Sequence, residues 1–526
     1  LIDASLSFED SGFYAKIVLD YLHGEDALKS FYRYPYQMDS FDDAIKQRKF
    51  PVEQRALLCD TIEKQYQRLQ LDITQHEVLQ QNIAALQNEN TFTITTGHQI
   101  CLATGPLYFI IKITHAIKLA QELSQRFPDK KVVPVFWMAT EDHDFEEIRS
   151  VQIGEQKISW DMDSAEAPVG RMATHHINRF LDGIHLDDSY TDILLKWKSY
   201  YEQASNLADA THQLVHDLFA AYGLVILNAD DAKLKQSFTK IIREDVLHQK
   251  VFEALQTTNN QLNRQYKLQV SGRSINHFYI HDGARKLIDF EHNLLKIKDT
   301  NQQFTVEEME QEIVLHPEKF SPNVVLRPVY QEYILPNLAY IGGPGELAYW
   351  LQLKGVFDLT DTNYPVLVCR NSFVLLQTTS ARKLRKLNLQ PKDLFTRKDV
   401  LIKQLVHALE PTSHKELMNQ VTGLYQQLID EVAFIDNQVS SGIIEEKKKT
   451  EKALHAIAAK ITKAKKQKHD LSIAQLHEIL ADVLPNGAPA ERVFNILHYT
   501  HQPDEFIRLI FQHSQALPQS IAVITL

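Results

Sequence analysis

The chain has 526 residues, 56 basic against 67 acidic for a net charge of −11, and 44% hydrophobic residues, the composition of an ordinary globular protein. The acidic balance argues against a general nucleic-acid binder. Three cysteines (Cys59, Cys101, Cys369) and no CxxC pair exclude a disulfide scaffold, a zinc ribbon and a thioredoxin-type site. The opening LIDASLSFED lacks a basic start followed by an apolar run, and no apolar stretch approaches the ~18–20 residues that span a bilayer. The expectation is a cytoplasmic protein with no membrane partner and two to four domains.

Residues 1–90 carry mostly helical spacing, with Leu69 and Ile73, then Leu79, Ile83 and Leu86, in phase. This stretch is expected to be a helical segment packed on the core. Residues 91–389 are expected to form that core, with insertions at about 151–220 and 250–320. It opens on a β-α-β unit: strand 91–95, a loop with Gly97 and Gly105, helix 106–124 starting near Pro106, and strand 132–138. A helix joining parallel strands predicts an α/β, doubly wound sheet with ligands beyond the C-terminal strand ends. Within the first insertion, VQIGEQKISWDMD predicts a short β excursion and 195–222 a helix. LVILNADDAKL predicts another buried strand, HFYIHDGARKLIDF a hairpin turning at Asp282-Gly283, and PVLVCRNSF a further core strand. From 390 to 475 the pattern is long helix. Leu417, Val421, Leu424, Leu428, Ile435 and Val439 precede a break at Ser440-Ser441-Gly442, after which Leu454, Ile457, Ile461 and Leu471 continue. This predicts a coiled-coil domain. Residues 476–526 return to the core.

Five clusters fall where such a sheet would place its site. The loop Thr96-Gly97-His98-Gln99, with Thr104-Gly105-Pro106 and Tyr108, predicts backbone N–H groups and a helix dipole aimed at an anion, with His98 donating to a phosphoryl or carboxyl oxygen. It matches neither GxGxxG nor GxxxxGK[ST]. Glu141-Asp142-His143-Asp144 could recognise an amine, act as base or ligate Mg2+, or could simply cap a helix. Arg327, near Asn323 and Gln331, suits a carboxylate or phosphate; a structural pair with Glu332 is the alternative. Gly343 and Gly345 let a ligand approach the backbone before Glu346 and Tyr349. Arg370-Asn371-Ser372 ends another strand. Cys101 lacks an activating partner, and His175-His176 and His277/His281 lack a third ligand, so no metal site is assigned.

TGHQICLATGPLYFIIK, EDHDFEEI after VVPVFWMAT, SPNVVLRPVYQEYILPNLAYIGGPGELAYWLQLKGVF and LPNGAPAERVFN together resemble the bacillithiol-biosynthesis cysteine-adding family, BshC, over essentially the whole chain. The resemblance implies a Rossmann-like core akin to class I nucleotidyltransferases, with connecting insertions, and a coiled-coil domain that makes a homodimer. It implies a ligase joining L-cysteine, through its carboxyl group, to the amine of glucosaminyl-malate. Making an amide from a carboxylate in water is uphill, so adenylation by ATP with Mg2+ is the expected activation, against which stands the lack of a counterpart to the lysine loop of tRNA synthetases. Gly97, His98 and Gln99 fall on the family's Thr-Gly-Gln-Gln loop, where His98 replaces glutamine. Arg370 and Ser372 fall on its Pro-Arg-x-Ser, with Cys369 in place of proline. On this reading His98, Gln99 and the helix start at Gly105 and Tyr108 hold phosphates or carboxylates. Asp142, His143 and Asp144 recognise an ammonium or the sugar, or remove the amine proton. Arg327 and Arg370 take the malate carboxylates. A nucleotidyltransferase on another small carboxylate or sugar, and a non-catalytic dimeric metabolite-binding scaffold, are the competing readings.

Overall fold

A computed structural model of the chain describes residues 2–162, 167–175, 177–411, 414–433 and 435–526; His176 lies outside them. The chain divides into two compact units. The larger comprises 7–373 and 491–522, the smaller 1–6, 374–490 and 523–526.

The larger unit is built on five parallel strands: β1 (Thr91–His98), β2 (Lys131–Met138), β3 (Val225–Asn228), β4 (Asn337–Gly342) and β5 (Val366–Cys369). Their order is β3-β2-β1-β4-β5, so the chain winds outward from β1 in both directions. This is the Rossmann order, and its switch point lies between β1 and β4, where connections leave to opposite faces and open a crevice. Every residue of β1 is buried, which demands partners for its threonines. Thr93 and Thr95 donate to Asn337 Oδ1 at 3.1 and 2.8 Å, and Thr96 donates to the Ile341 carbonyl at 2.9 Å.

Helix α1 (Tyr108–Arg126) joins β1 to β2. It buries Phe109, Ile110, Ile113, Ile117, Leu119 and Leu123, each at 1% exposure or less. Such side chains contribute about 1.5–3 kcal/mol each relative to solvent. Helix α2 (Leu326–Ile334) leads into β4, and α3 (Pro344–Gln352) leaves it. Ahead of β1 run helices Lys16–His23, Ser40–Gln47, Val52–Arg68 and Glu77–Ala85. Between β2 and β3 sits the hairpin Ser150–Ile153/Gln156–Ser159. The expected single helix over 195–222 is instead two, Thr191–Gln203 and Leu207–Phe219, because Asn206 caps the second by accepting from the Asp209 N–H. Between β3 and β4 lies a five-stranded antiparallel sheet. Its strands His277–His281 and Ala284–Glu291 turn through Asp282 (φ 49°) and Gly283 (φ 78°).

In the smaller unit, helices His414–Val432 and Asn437–Lys468 lie antiparallel, with Tyr425 Oη 2.9 Å from Thr450 Oγ1 and Lys447 donating to Gln426 at 2.8 Å. The expected break at Ser440-Ser441-Gly442 lies inside the second helix. The first helix ends at Val432, and Asp436 caps the second through the Gln438 and Val439 N–H groups. A glycine within a long helix costs only about 1 kcal/mol, too little to interrupt it. Among the described residues no helix is long and apolar enough to cross a membrane.

Candidate active site

Two neighbouring cavities open at the switch point. The first, of about 440 Å³, is walled by Trp137, Met138, Phe278, Tyr340 and Tyr349 and carries Asp142, His143, Arg285, Asn323 and Arg327. The second, of about 360 Å³, is lined by Tyr108, Lys112, Glu147, Gly343, Gly345, Arg370 and Arg492. Gly97, His98, Gln99, Glu346 and Tyr349 border both.

His98 ends β1 and packs between the rings of Tyr108 and Phe109, with centroids 4.8 and 5.0 Å away. Its Nδ1 lies 2.8 Å from the Gln99 carbonyl. Burial, then the nearby Lys112 charge, push its pKa down to about 3, so the ring is neutral. Gln99 Nε2 donates to Asp142 Oδ2 and to Glu147 Oε2, both at 2.8 Å. Burial pushes the Glu147 carboxyl pKa up, against that hydrogen bond.

The acidic run after β2 divides its labour. Glu141 pairs with buried Lys235 at 2.5 Å; Lys235 also holds Asp230, which takes both arms of Arg171. Asp142 and His143 face the first cavity. Asp144 caps helix Phe145–Ile148 through the Glu147 N–H.

Arg285 comes from the antiparallel hairpin and sits 4.1 Å over the Phe278 ring. It donates to Ser321 Oγ (3.0 Å), the Pro322 carbonyl (2.6 Å) and His143 Nδ1 (3.0 Å). Arg327, on α2, donates to Gln331 at 3.1 Å and not to Glu332. A Cβ on Gly97 would stand 3.2 Å from Arg327 Nη1, so glycine there lets the guanidinium lie against the end of β1.

Beneath the second cavity Lys112 reaches out of α1 to Glu346 Oε2 (2.8 Å) and the Gly97 carbonyl (2.5 Å). Burial opposes both charges, but Lys112, the Gly343 N–H and the Tyr340 hydroxyl outweigh it at Glu346, whose pKa falls to about 2. The Glu346 carboxylate thereby occupies the Gly343 N–H at the start of α3. Arg370 pairs with buried Glu491 at 2.7 Å and donates to Ser372 Oγ and the Asn371 carbonyl. Arg492 is exposed and has no hydrogen bond or ion pair among the described residues.

Several expected residues line neither cavity. Thr96 is consumed by Ile341, Gln331 stands behind Arg327, and Ser372 stands behind Arg370. Thr104 and Gly105 are the main departure. Their loop is buried and clamped: Asn495 donates to the Ala103 and Gly105 carbonyls at 2.7 and 2.6 Å, and Tyr201 accepts the Ala103 N–H. The Leu107 N–H goes to the Phe494 carbonyl and the Phe109 N–H to that of Pro106, so these two donors at the entry to α1 are not offered to a ligand. Cys101 is buried in that loop, and burial pushes its thiol pKa up to about 12. Sequence reasoning missed Lys112, Arg285 and Arg492. A lysine within the apolar run YFIIKITHAI was a signal for the first; for the other two, distant in sequence, there was none.

Residues 3–371 match the family described as bacillithiol biosynthesis BshC, N-terminal Rossmann-like domain, and residues 373–526 match its C-terminal coiled-coil domain. The chain belongs to the BshC family. Relatives that bear the name "Putative cysteine ligase BshC" include one from Flavobacterium johnsoniae, 38% identical over 99% of both chains. Another, from Flavobacterium psychrophilum, is 36% identical over 99% of this chain and 98% of its own. A third, from Cytophaga hutchinsonii, is 35% identical over 96% of each. By those names BshC is an enzyme family of the ligase class, and the paired cavities are where its chemistry is to be sought in this chain.

Proposed function

We propose that this chain joins L-cysteine, through its activated carboxyl group, to the amine of glucosaminyl-malate. The observation that carries the reading is the pair of adjoining cavities at a Rossmann switch point, sized for two small substrates and bordered by a common set of residues. The new C–N bond forms as the amine attacks the acyl carbon. The bond from that carbon to its leaving group breaks, and the nitrogen releases a proton. Asp142 and His143, facing the first cavity, supply carboxylate and imidazole for recognition and proton acceptance. Arg327 and Arg370 balance carboxylates.

An amide forms uphill in water, so the carboxyl needs a leaving group, and ATP is the proposed source. Arg492 and the open backbone at Gly345, where an added Cβ would meet nothing within 4 Å, fit phosphates. Bound there, ATP would supply the phosphoryl or adenylyl group that activates the cysteine carboxyl. Among the described residues no group of three His, Cys, Asp or Glu could hold a metal, so the protein's own donors build no cage for Mg2+, and no step is routed through it.

The helical pair supports a homodimer. Leu417 and Leu424 are 62% and 61% exposed on the first helix, and Ile457 is 52% exposed on the second, apolar surface that a second copy would cover. Purified protein with cysteine, glucosaminyl-malate and ATP is expected to yield the amide thiol, seen by mass spectrometry. No product, together with normal bacillithiol in a deletion strain, rejects the reading. Leu417→Glu with Leu424→Glu is expected to halve the mass measured by light scattering; a wild type already monomeric rejects the dimer.

A further inference from the structure

The border between the two cavities holds buried acceptors without donors. The Gln99 carbonyl can only accept, so the proton of neutral His98 sits on Nδ1. Nε2 is left with a lone pair, buried, and without a partner among the described residues; the whole residue is 8% exposed. Gln99 is in the same condition. Its Nε2 serves two carboxylates and its Oε1 has no partner among the described residues. The flipped amide would turn its oxygen on those carboxylates, so this orientation is the stable one.

A buried acceptor left empty is destabilising, and a ligand donor relieves that. A phosphate or carboxylate oxygen at this point would meet two lone pairs and the carboxylates of Asp142 and Glu147. A group rich in N–H would satisfy all of them. The cation nearest the border, Lys112, is already taken by Glu346 and the Gly97 carbonyl; the others lie to either side, Arg285 and Arg327 in the first cavity, Arg370 and Arg492 in the second.

We propose that the border is the seat of a primary amine, donating N–H to His98 Nε2 and Gln99 Oε1, with the substrate's anionic groups in the flanking cavities. His98 is then an acceptor for nitrogen, not a donor to phosphate. That this amine is the nucleophile rests on the ligase reading; that an amine sits here does not.

Calorimetry on the full chain separates the two. Glucosaminyl-malate is expected to bind at least tenfold more tightly than its N-acetyl derivative, whose nitrogen carries one hydrogen and an acyl group. His98→Phe keeps a ring of similar shape and removes the acceptor; it is expected to erase that preference while malate and pyrophosphate bind as before. His98→Gln restores an acceptor and is expected to restore most of the preference, which guards against a variant that merely misfolds. Weaker pyrophosphate or malate binding in His98→Phe, with the amine preference intact, overturns the proposal. Equal affinity of the wild type for both sugars also overturns it. A strong amine preference without amide formation leaves the proposal standing and rejects the ligase; amide formation with no effect of His98→Phe on amine binding does the reverse.

Discussion

In the first cavity Arg285 is almost wholly committed, to Ser321, Pro322, His143 and the face of Phe278, whereas in the second Arg492 stands exposed with no partner among the described residues. The first cavity is thus shaped before anything binds: aromatic walls fix its form, and its cation is held by groups of the protein itself. The second is shaped by two ion pairs, Lys112–Glu346 and Arg370–Glu491, under a glycine-rich turn, and leaves the charge of Arg492 for the ligand to complete. Burying a charge is stable only with its partner in place, so the two cavities should fail differently when altered.

The largest effect should come from the ion pair. Lys112→Met leaves Glu346 uncompensated and is expected to cost about 3 kcal/mol in urea unfolding, the lower end for a broken buried pair because Glu346 is still 27% exposed. A loss under 1 kcal/mol would mean that solvent holds the second cavity open. Next comes acid. His115, behind the second cavity, donates from Nε2 to the Ala516 carbonyl and accepts the Asn371 N–H at Nδ1, so it has no room for a second proton. Burial, chiefly, lowers its pKa to about 4. The unfolded chain takes that proton below pH ~6.5 and the folded chain does not until about 4, so stability present above 6.5 drains away between them. By pH 5 this amounts to about 2 kcal/mol, and His115→Gln should flatten the slope of unfolding free energy between pH 7 and 5. The smallest effect on stability should come from Arg492→Ala, within about 0.5 kcal/mol, while pyrophosphate binds about tenfold more weakly. If pyrophosphate instead ignores Arg492 and fails with Arg327→Met, the contrast between the cavities is the opposite of the one drawn here.

Local physics made much of the fold legible. The β-α-β unit and the Asp282-Gly283 hairpin each follow from residues a few positions apart, and each stands where its residues predict. The loop from Cys101 to Gly105 also looked local, a glycine-rich entry to a helix. Its meaning is set by Asn495, nearly four hundred residues later, which no spacing reveals. Arg285 was hidden for a related reason: an insertion that looks like a separate β module turns one arginine back over the sheet edge. The Ser440-Ser441-Gly442 reading failed through over-weighting glycine, when Asp436 ahead of it was the true cap. For the site, the five clusters could be named from the sequence. Which side chains in them are already engaged by other parts of the protein could not.

Residues 491–522 belong to the larger unit although the smaller one intervenes in the chain. They bring Glu491 to Arg370, Phe494 to the Leu107 N–H and Asn495 to the loop after β1. During translation the sheet and most of both cavities leave the ribosome long before these partners exist. Until then Arg370 lacks its carboxylate partner, and the Ala103 and Gly105 carbonyls lack the Asn495 amide. The site therefore assembles last, as a tail clasp on a body already made. A chain cut short after residue 490 should keep its sheet and lose the second cavity, a failure that resembles a catalytic defect and originates in synthesis.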